Sequence, residues 1–290
     1  MLDNIKEAVA EWVHDTLAKI VLSCMNGLFT QYNNGFGTIT SDVAKTPQGW
    51  NPDIFGMVRS LSETVMMPIA GTVVTYVLCY ELISMIMQKN SLHDIDTWMF
   101  FKYVLKAGIA VYLISHTFDL TMAVFDVGRH AALAASGVLR DGVEIDAAGL
   151  TARLEEGMEG MGTGEMFLLT VESLGVAIVS RFLYACINAM LYVRIVNIYL
   201  YISIAPVPFS TLTNREWGSI GTNYIKGLFS RAFQAFFIIV AIGIYAVMVT
   251  TVTISDDLHW AVSELLWFSI VIFMVIQHIK NFSTSIFGGA

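Results

Sequence analysis

A length of 290 residues would suit one or two soluble domains, yet 56% of them are hydrophobic and only 14% charged, with a mean hydropathy of +0.64. A bilayer is therefore the expected solvent. The formal net charge of -8, with 16 basic residues scattered singly, excludes the clustered Lys/Arg surface that coats nucleic acid. Cys24, Cys79 and Cys186 lie far apart, with no CxxC spacing and no His pair nearby, which excludes a disulfide framework or a zinc site.

The chain opens Met1-Leu2-Asp3-Asn4 and continues with mixed charge, so no cleavable signal peptide is expected. From Ile5 to Phe29 the residues Ile5, Val9, Trp12, Val13, Leu17, Ile20, Val21, Met25 and Leu28 recur at three and four, with Lys6, Glu7, Glu11, Asp15 and Lys19 opposite. That spacing predicts an amphipathic helix with too many charges to cross a membrane. It suits the interface, a sister subunit or the rest of the same chain. Asn33-Asn34-Gly35-Phe36-Gly37 should end it, and Thr46-Pro47-Gln48-Gly49-Trp50-Asn51-Pro52 is a second cluster of turn formers, so residues 31–55 read mostly as loop.

Five spans follow, at about 65–87, 105–125, 166–193, 232–254 and 260–279. Glu81 burdens the first only near one end. The last two form a hairpin over Ser255-Asp256-Asp257-Leu258. Residues 1–63 thus read as an extracytoplasmic helix and loop, and 64–290 as a polytopic membrane domain. The fold class expected is all-α.

Lys89, Lys102 and Lys106 place the first inter-span loop inside, as Arg215, Lys226 and Arg231 do for the stretch before the fourth span and Lys280 for the C-terminus. Residues 126–165 carry Asp141, Glu144, Asp146, Glu155, Glu156, Glu159 and Glu165 against three arginines and should form an outside loop. Between these two regions there is room for one crossing, so Val196 to Leu212 is no independent span. Pro206 and Pro208 break it, and it is expected to be a re-entrant or interior element. The N-terminus is then outside and the C-terminus cytoplasmic.

Tyr112, His116, Asp119 and Asp126 share one helical face, which reads either as an ion path or as an interhelix polar contact. Arg181, with Asn188 on its face, needs a partner from another helix, a pore or the headgroup level, and Glu81 is a candidate partner. Gly71, Thr75 and Cys79 form a small-residue stripe suited to close helix packing. No HExxH, GxSxG or P-loop is present, so neither an enzyme nor a cofactor site is expected.

Three stretches carry a family resemblance: Pro68-Ile-Ala-Gly-Thr-Val-Val-Thr-Tyr-Val-Leu-Cys-Tyr-Glu81-Leu, Phe118-Asp119 to Phe125-Asp126, and Ile198-Tyr-Leu-Tyr-Ile-Ser-Ile-Ala-Pro-Val-Pro208 with Asn214-Arg-Glu-Trp-Gly-Ser-Ile-Gly-Thr-Asn-Tyr224. With the ending Ser285-Ile-Phe-Gly-Gly, they resemble the TrbL-type conjugal transfer proteins of Gram-positive integrative elements over most of the chain from about Pro47. The resemblance implies a multi-pass component of the inner, or cell, membrane in a type IV secretion machine. It also implies an external N-terminus, about five spans and several copies around a translocation path. Where such proteins have an acidic residue before the Ile-Tyr-Leu-Tyr motif, this chain has Asn197, which puts any role of that acid in doubt here.

The leading functional reading is a structural channel subunit for a DNA–protein substrate. Its partners would be lipid, sister subunits and separate ATPases, since no nucleotide motif is present, with transient contact with the transferred complex. The alternative is a secondary transporter or ion-conducting protein, against which the lack of paired, interrupted halves counts. An intramembrane hydrolase would require His116 and Asp119 to meet a nucleophile, for which the sequence offers no pairing.

Overall fold

A computed structural model describes residues 2–87, 97–139, 146–252 and 257–288. Within these the regular elements are helical: α1 (Leu2–Val43), α2 (Pro47–Trp50), α3 (Pro52–Leu61), a π-helical turn (Ser62–Met66), α4 (Met67–Met87), α5 (Thr97–Ser115), α6 (Thr117–Leu139), α7 (Ala147–Met158), α8 (Thr163–Ser203), α9 (Pro206–Thr211), α10 (Gly218–Thr250) and α11 (Leu258–Phe287). Five helical stretches of the described residues are long and apolar enough to cross a bilayer: Pro52–Met87, α5, α8, α10 and α11. The chain is an all-α, multi-pass membrane protein. Lys89, Asp141, Glu144, Ser255, Asp256 and Gly289, which entered the charge, turn and motif readings, lie outside the described residues.

The expected loop at 31–55 is a correction. Helix α1 continues to Val43 through Asn33-Asn34-Gly35, because Gly35 there serves close approach and not a turn. A Cβ at Gly35 would lie 2.6 Å from the Tyr184 ring. The second turn cluster builds helix starts. The Thr46 hydroxyl accepts from Gly49 N and the Asn51 side chain from Ile54 N, each followed by a proline that has no N–H to leave unpaired.

The span boundaries also shift. Leu105–Phe125 straddles a bend at His116, where the Thr117 hydroxyl bonds the carbonyls of Leu113 (3.0 Å) and Ile114 (2.8 Å). The helix long and apolar enough to cross there is α5, which ends at Ser115. The π turn precedes Pro68, whose ring cannot sit beneath the carbonyl four residues back, and the wider turn relieves that clash. Much of the 126–165 stretch read as a loop is helical, in α6 and α7.

The helices gather into two compact units. The first comprises Met1–Val43, Leu133–Leu191 and Phe237–Ile279. In it α1 buries Val21, Met25, Leu28 and Phe29 while α7 buries Leu150, Leu154 and Met158, and these two helices pack on each other. Tyr32 stacks on Tyr245 at 4.4 Å, and the Tyr245 hydroxyl meets Ser269, which also bonds Ser180. The first turns of α1 leave Ile5, Val9 and Trp12 more than half exposed.

The second unit comprises Ala44–Ala132, Tyr192–Phe236 and Lys280–Ala290. Its core joins Phe55, Phe118, Phe125, Ile198, Ile202, Phe209 and Leu228, and a smaller cluster joins Ala70, Val74, Ala110 and Ile114 between α4 and α5. Helices α6 and α10 cross closely at Gly128, where a Cβ would lie 2.6 Å from the Ala232 carbonyl oxygen. Nothing lies within 4 Å of a Cβ at Gly71.

Gly128→Val should therefore cost on the order of 1–3 kcal/mol through overpacking against backbone. It should lower the melting temperature in detergent, whereas Gly71→Val leaves it unchanged. Equal melting of the two variants would remove Gly128 as the crossing point.

Candidate functional site

Helix α8 stops at Ile204-Ala205, and the six residues of α9 lie against α4 and α5 with Pro206, Pro208, Phe209, Ser210 and Thr211 buried. The first part of Val196–Leu212 thus continues α8, and the remainder is an interior element in the second unit, as the two prolines implied. From Thr211 the chain turns through Asn214, whose carboxamide oxygen accepts from Glu216 N and Trp217 N at 2.8 Å each. These bonds set the start of α10. Thr211 Oγ1 accepts from Gly221 N at 3.1 Å, and a Cβ at Gly221 would meet the Pro208 carbonyl at 2.6 Å.

Helix α4 reads this turn with three side chains. Tyr76 and Tyr80 stack on Trp217 at 5.3 and 6.2 Å, and the Tyr80 hydroxyl donates to Glu216 at 2.8 Å. Glu81, with its side chain 13% exposed, takes an ion pair from Lys106 of α5. It also accepts from Asn214 Nδ2 at 3.4 Å. The Pro68–Glu81 stretch, the Ala205–Pro208 break and the Asn214–Tyr224 stretch therefore meet at one place. Beside them lies a cavity of about 240 Å³ lined by Tyr80, Glu81, Ser84, Met85, Lys102, Lys106, Arg215 and Glu216.

A second polar contact fixes the end of α8 to α10. Tyr201 and Tyr224 stack at 4.4 Å, and each hydroxyl donates to the other's backbone carbonyl, at 3.1 and 2.7 Å. The Arg231 guanidinium lies 3.5 Å from the Tyr201 ring centre, and Arg194 donates to the Arg231 carbonyl at 3.3 Å.

The remaining residues singled out from sequence are dispersed. Thr75 and Cys79 are exposed and Gly71 half-buried, the Thr75 hydroxyl bonding the Gly71 carbonyl. His116 stacks on Tyr112 at 4.2 Å on the surface, and Asp119 and Asp126 are exposed. Arg59, near Asp119, pairs instead with Glu63 at 2.7 Å. Arg181 is exposed in the first unit near Cys24 and Gly27, and Asn188 donates to the Tyr184 carbonyl. Glu81 pairs with Lys106 of the neighbouring helix, within the second unit. Asn197 is exposed.

Sequence reasoning missed Asn214, Lys106 as partner of Glu81, and the Tyr201–Tyr224 pair. An Asn before a helical stretch is a cap signal that was legible; the other two contacts need the fold. Among the described residues no group of three His, Cys, Asp or Glu side chains is placed to hold a metal.

These features define a polytopic helical membrane protein whose polar contacts brace helices. Residues 32–206 match the family model described as TrbL/VirB6 plasmid conjugal transfer like protein, and the chain belongs to that family. It is accordingly a component of conjugal transfer or type IV secretion. No match was found among curated proteins or among solved structures.

Asn214→Ala should cost roughly 1 kcal/mol by removing the cap of α10. Asn214→Asp keeps the cap but sets a second carboxylate beside Glu81. Thermal melting in detergent should rank wild type above both variants, and an unchanged Asn214→Ala would show that the cap is dispensable.

Proposed function

We propose that the chain is a structural, non-catalytic subunit of a type IV secretion machine in the cytoplasmic membrane, and that several copies form or line part of the path of a DNA–protein substrate. The observation that carries this reading is the convergence of the family-like Pro68–Glu81 and Asn214–Tyr224 stretches on the buried α9, itself the end of the Ile198–Pro208 stretch, in a family of conjugal transfer proteins. Broad apolar faces support assembly in a bilayer: Val104, Leu105, Ile109 and Val111 on α5 and Ile178, Phe182 and Val193 on α8 are exposed on the single chain. Separate ATPases supply the energy, since the sequence has no nucleotide motif. The charge pattern supports an external N-terminal region, residues 1–63, and a cytoplasmic C-terminus. Gly71, Thr75 and Cys79, open on the outer side of α4, suit a sister subunit.

Deleting the gene should abolish transfer of its element while leaving donor growth and excision intact. Replacing Pro206 and Pro208 together by alanine restores two backbone donors and lets α8 run on. Transfer should then fall while the protein still accumulates in the membrane. Parental transfer frequency in the deletion strain would sink the secretion reading, and a solute-uptake defect following the proline change would favour a transporter.

Orientation has its own test. Single cysteines at position 145, outside the described residues, and at position 220, in a cysteine-free background, should label oppositely with an impermeant reagent in intact cells. Equal labelling would contradict the proposed topology.

A further inference from the structure

The cavity beside the Asn214 turn carries a positive charge that its own carboxylates do not use. Lys106 is committed to Glu81, and Glu216 accepts the Tyr80 hydroxyl. Lys102 and Arg215 line the same space, and neither has a carboxylate partner among the described residues. Among the described lining residues, three cations against two carboxylates leave a formal charge of +1, which a mono-anion cancels and a dianion overshoots. That favours a phosphodiester, with its single charge, over a phosphate monoester, which carries about -1.5 to -2 at neutral pH.

The surroundings place this charge at a membrane surface. The Lys102 ammonium sits 5.4 Å from the Trp98 ring centre, Trp98 stacks on Phe101 at 5.6 Å, and Trp98, Phe100 and Phe101 are more than half exposed. Exposed aromatic rings with a lysine at the start of an apolar crossing helix mark the headgroup level. At ~30 Å³ per water, a 240 Å³ cavity holds roughly eight waters, enough room for a phosphate with its glycerol. Arg215 offers the planar fork that binds two phosphate oxygens at once.

We propose that this cavity binds the phosphodiester of an anionic phospholipid, with Lys102 and Arg215 as its ligands and the Glu81–Lys106 pair as its wall. The site depends on the chain crossing a bilayer and not on its role in transfer. A lipid held there would pin α4, α5 and the start of α10 at one depth, which is where the family-like stretches meet.

Native mass spectrometry of the purified full chain, titrated with phosphatidylglycerol or phosphatidylethanolamine, tests it. The wild type should prefer phosphatidylglycerol, and Lys102→Gln with Arg215→Gln should weaken that binding on the order of tenfold with phosphatidylethanolamine unaffected. Lys226→Gln with Lys280→Gln makes the same change in net charge elsewhere and should retain binding. Equal phosphatidylglycerol affinity in the wild type and the Lys102/Arg215 variant overturns the proposal. If inorganic phosphate alone binds as tightly and displaces the lipid, the ligand is a free anion and the lipid assignment fails. Should the double variant not fold, absence of any wild-type preference for phosphatidylglycerol overturns the proposal by itself.

Discussion

Two absent hydrogen-bond donors organise the second unit. Inside a bilayer each backbone N–H and C=O must find a partner within the protein, because no water is present to supply one. Pro206 and Pro208 cannot donate to the carbonyls of Ile202 and Ile204. Ala205 N and Val207 N take those acceptors at 3.1 Å each, in tighter turns. Hydroxyls serve nearby carbonyls: Ser203 bonds Leu200, Ser210 bonds Val207 and Thr211 bonds Pro208. The helix is interrupted, yet these polar groups keep partners, and the break is tolerable at depth.

A break satisfied in this way frees the chain to change direction, and the change needs bracing. Residue identity supplies it at each step. Gly221 lets α10 pass against the Pro208 carbonyl, Asn214 caps the new helix, and Trp217 lies on the tyrosines of α4. Glu81 then couples two crossing helices, through Lys106, to the turn itself, through Asn214. Such a half-buried ion pair contributes specificity of register more readily than net stability, because desolvation offsets much of the attraction. The family-like stretches are remote in sequence but adjacent here, so their shared location and their particularity have one physical cause.

The span count, the all-helical class and the proline break were legible because they rest on long-range composition and on the chemistry of a single residue type. What was not legible followed from residues with two uses. Gly35 and the Asn33-Asn34 pair are turn formers in isolation, but Gly35 also permits the approach of Tyr184, which only packing reveals. Prolines at 47 and 52 signal a loop unless the preceding Thr46 and Asn51 are read as caps. Pairing Arg181 with Glu81 rested on opposite charge alone. Charge carries no address, and the fold sets Lys106 of the adjacent helix against Glu81. The Gly71 stripe and the Gly128 crossing likewise use the same residue type, and nothing in the spacing of the first distinguishes it from a contact made within the chain.

Arginine without acid is the feature least expected from first principles. Among the described residues no carboxylate pairs with Arg194 or Arg231, although both are half-buried and the Arg194 Nε has no partner. Their charge is met by dipoles and a π face: Arg231 lies on Tyr201 and bonds the Gly227 carbonyl, while its own carbonyl accepts from Arg194. Lysine cannot lie flat on a ring and reach a carbonyl with its edge, whereas the weakly hydrated guanidinium does both. Gly227 makes the space, since a Cβ there would collide with the Tyr201 hydroxyl. Asn197 stands three residues after Arg194, at a spacing where an acid would lie within pairing distance on the same helix. The residue here is asparagine, and the Arg194 guanidinium donates to the Arg231 carbonyl. The tyrosine pair and its arginines thus join the end of α8 to α10 without the acid that the resemblance associates with this motif.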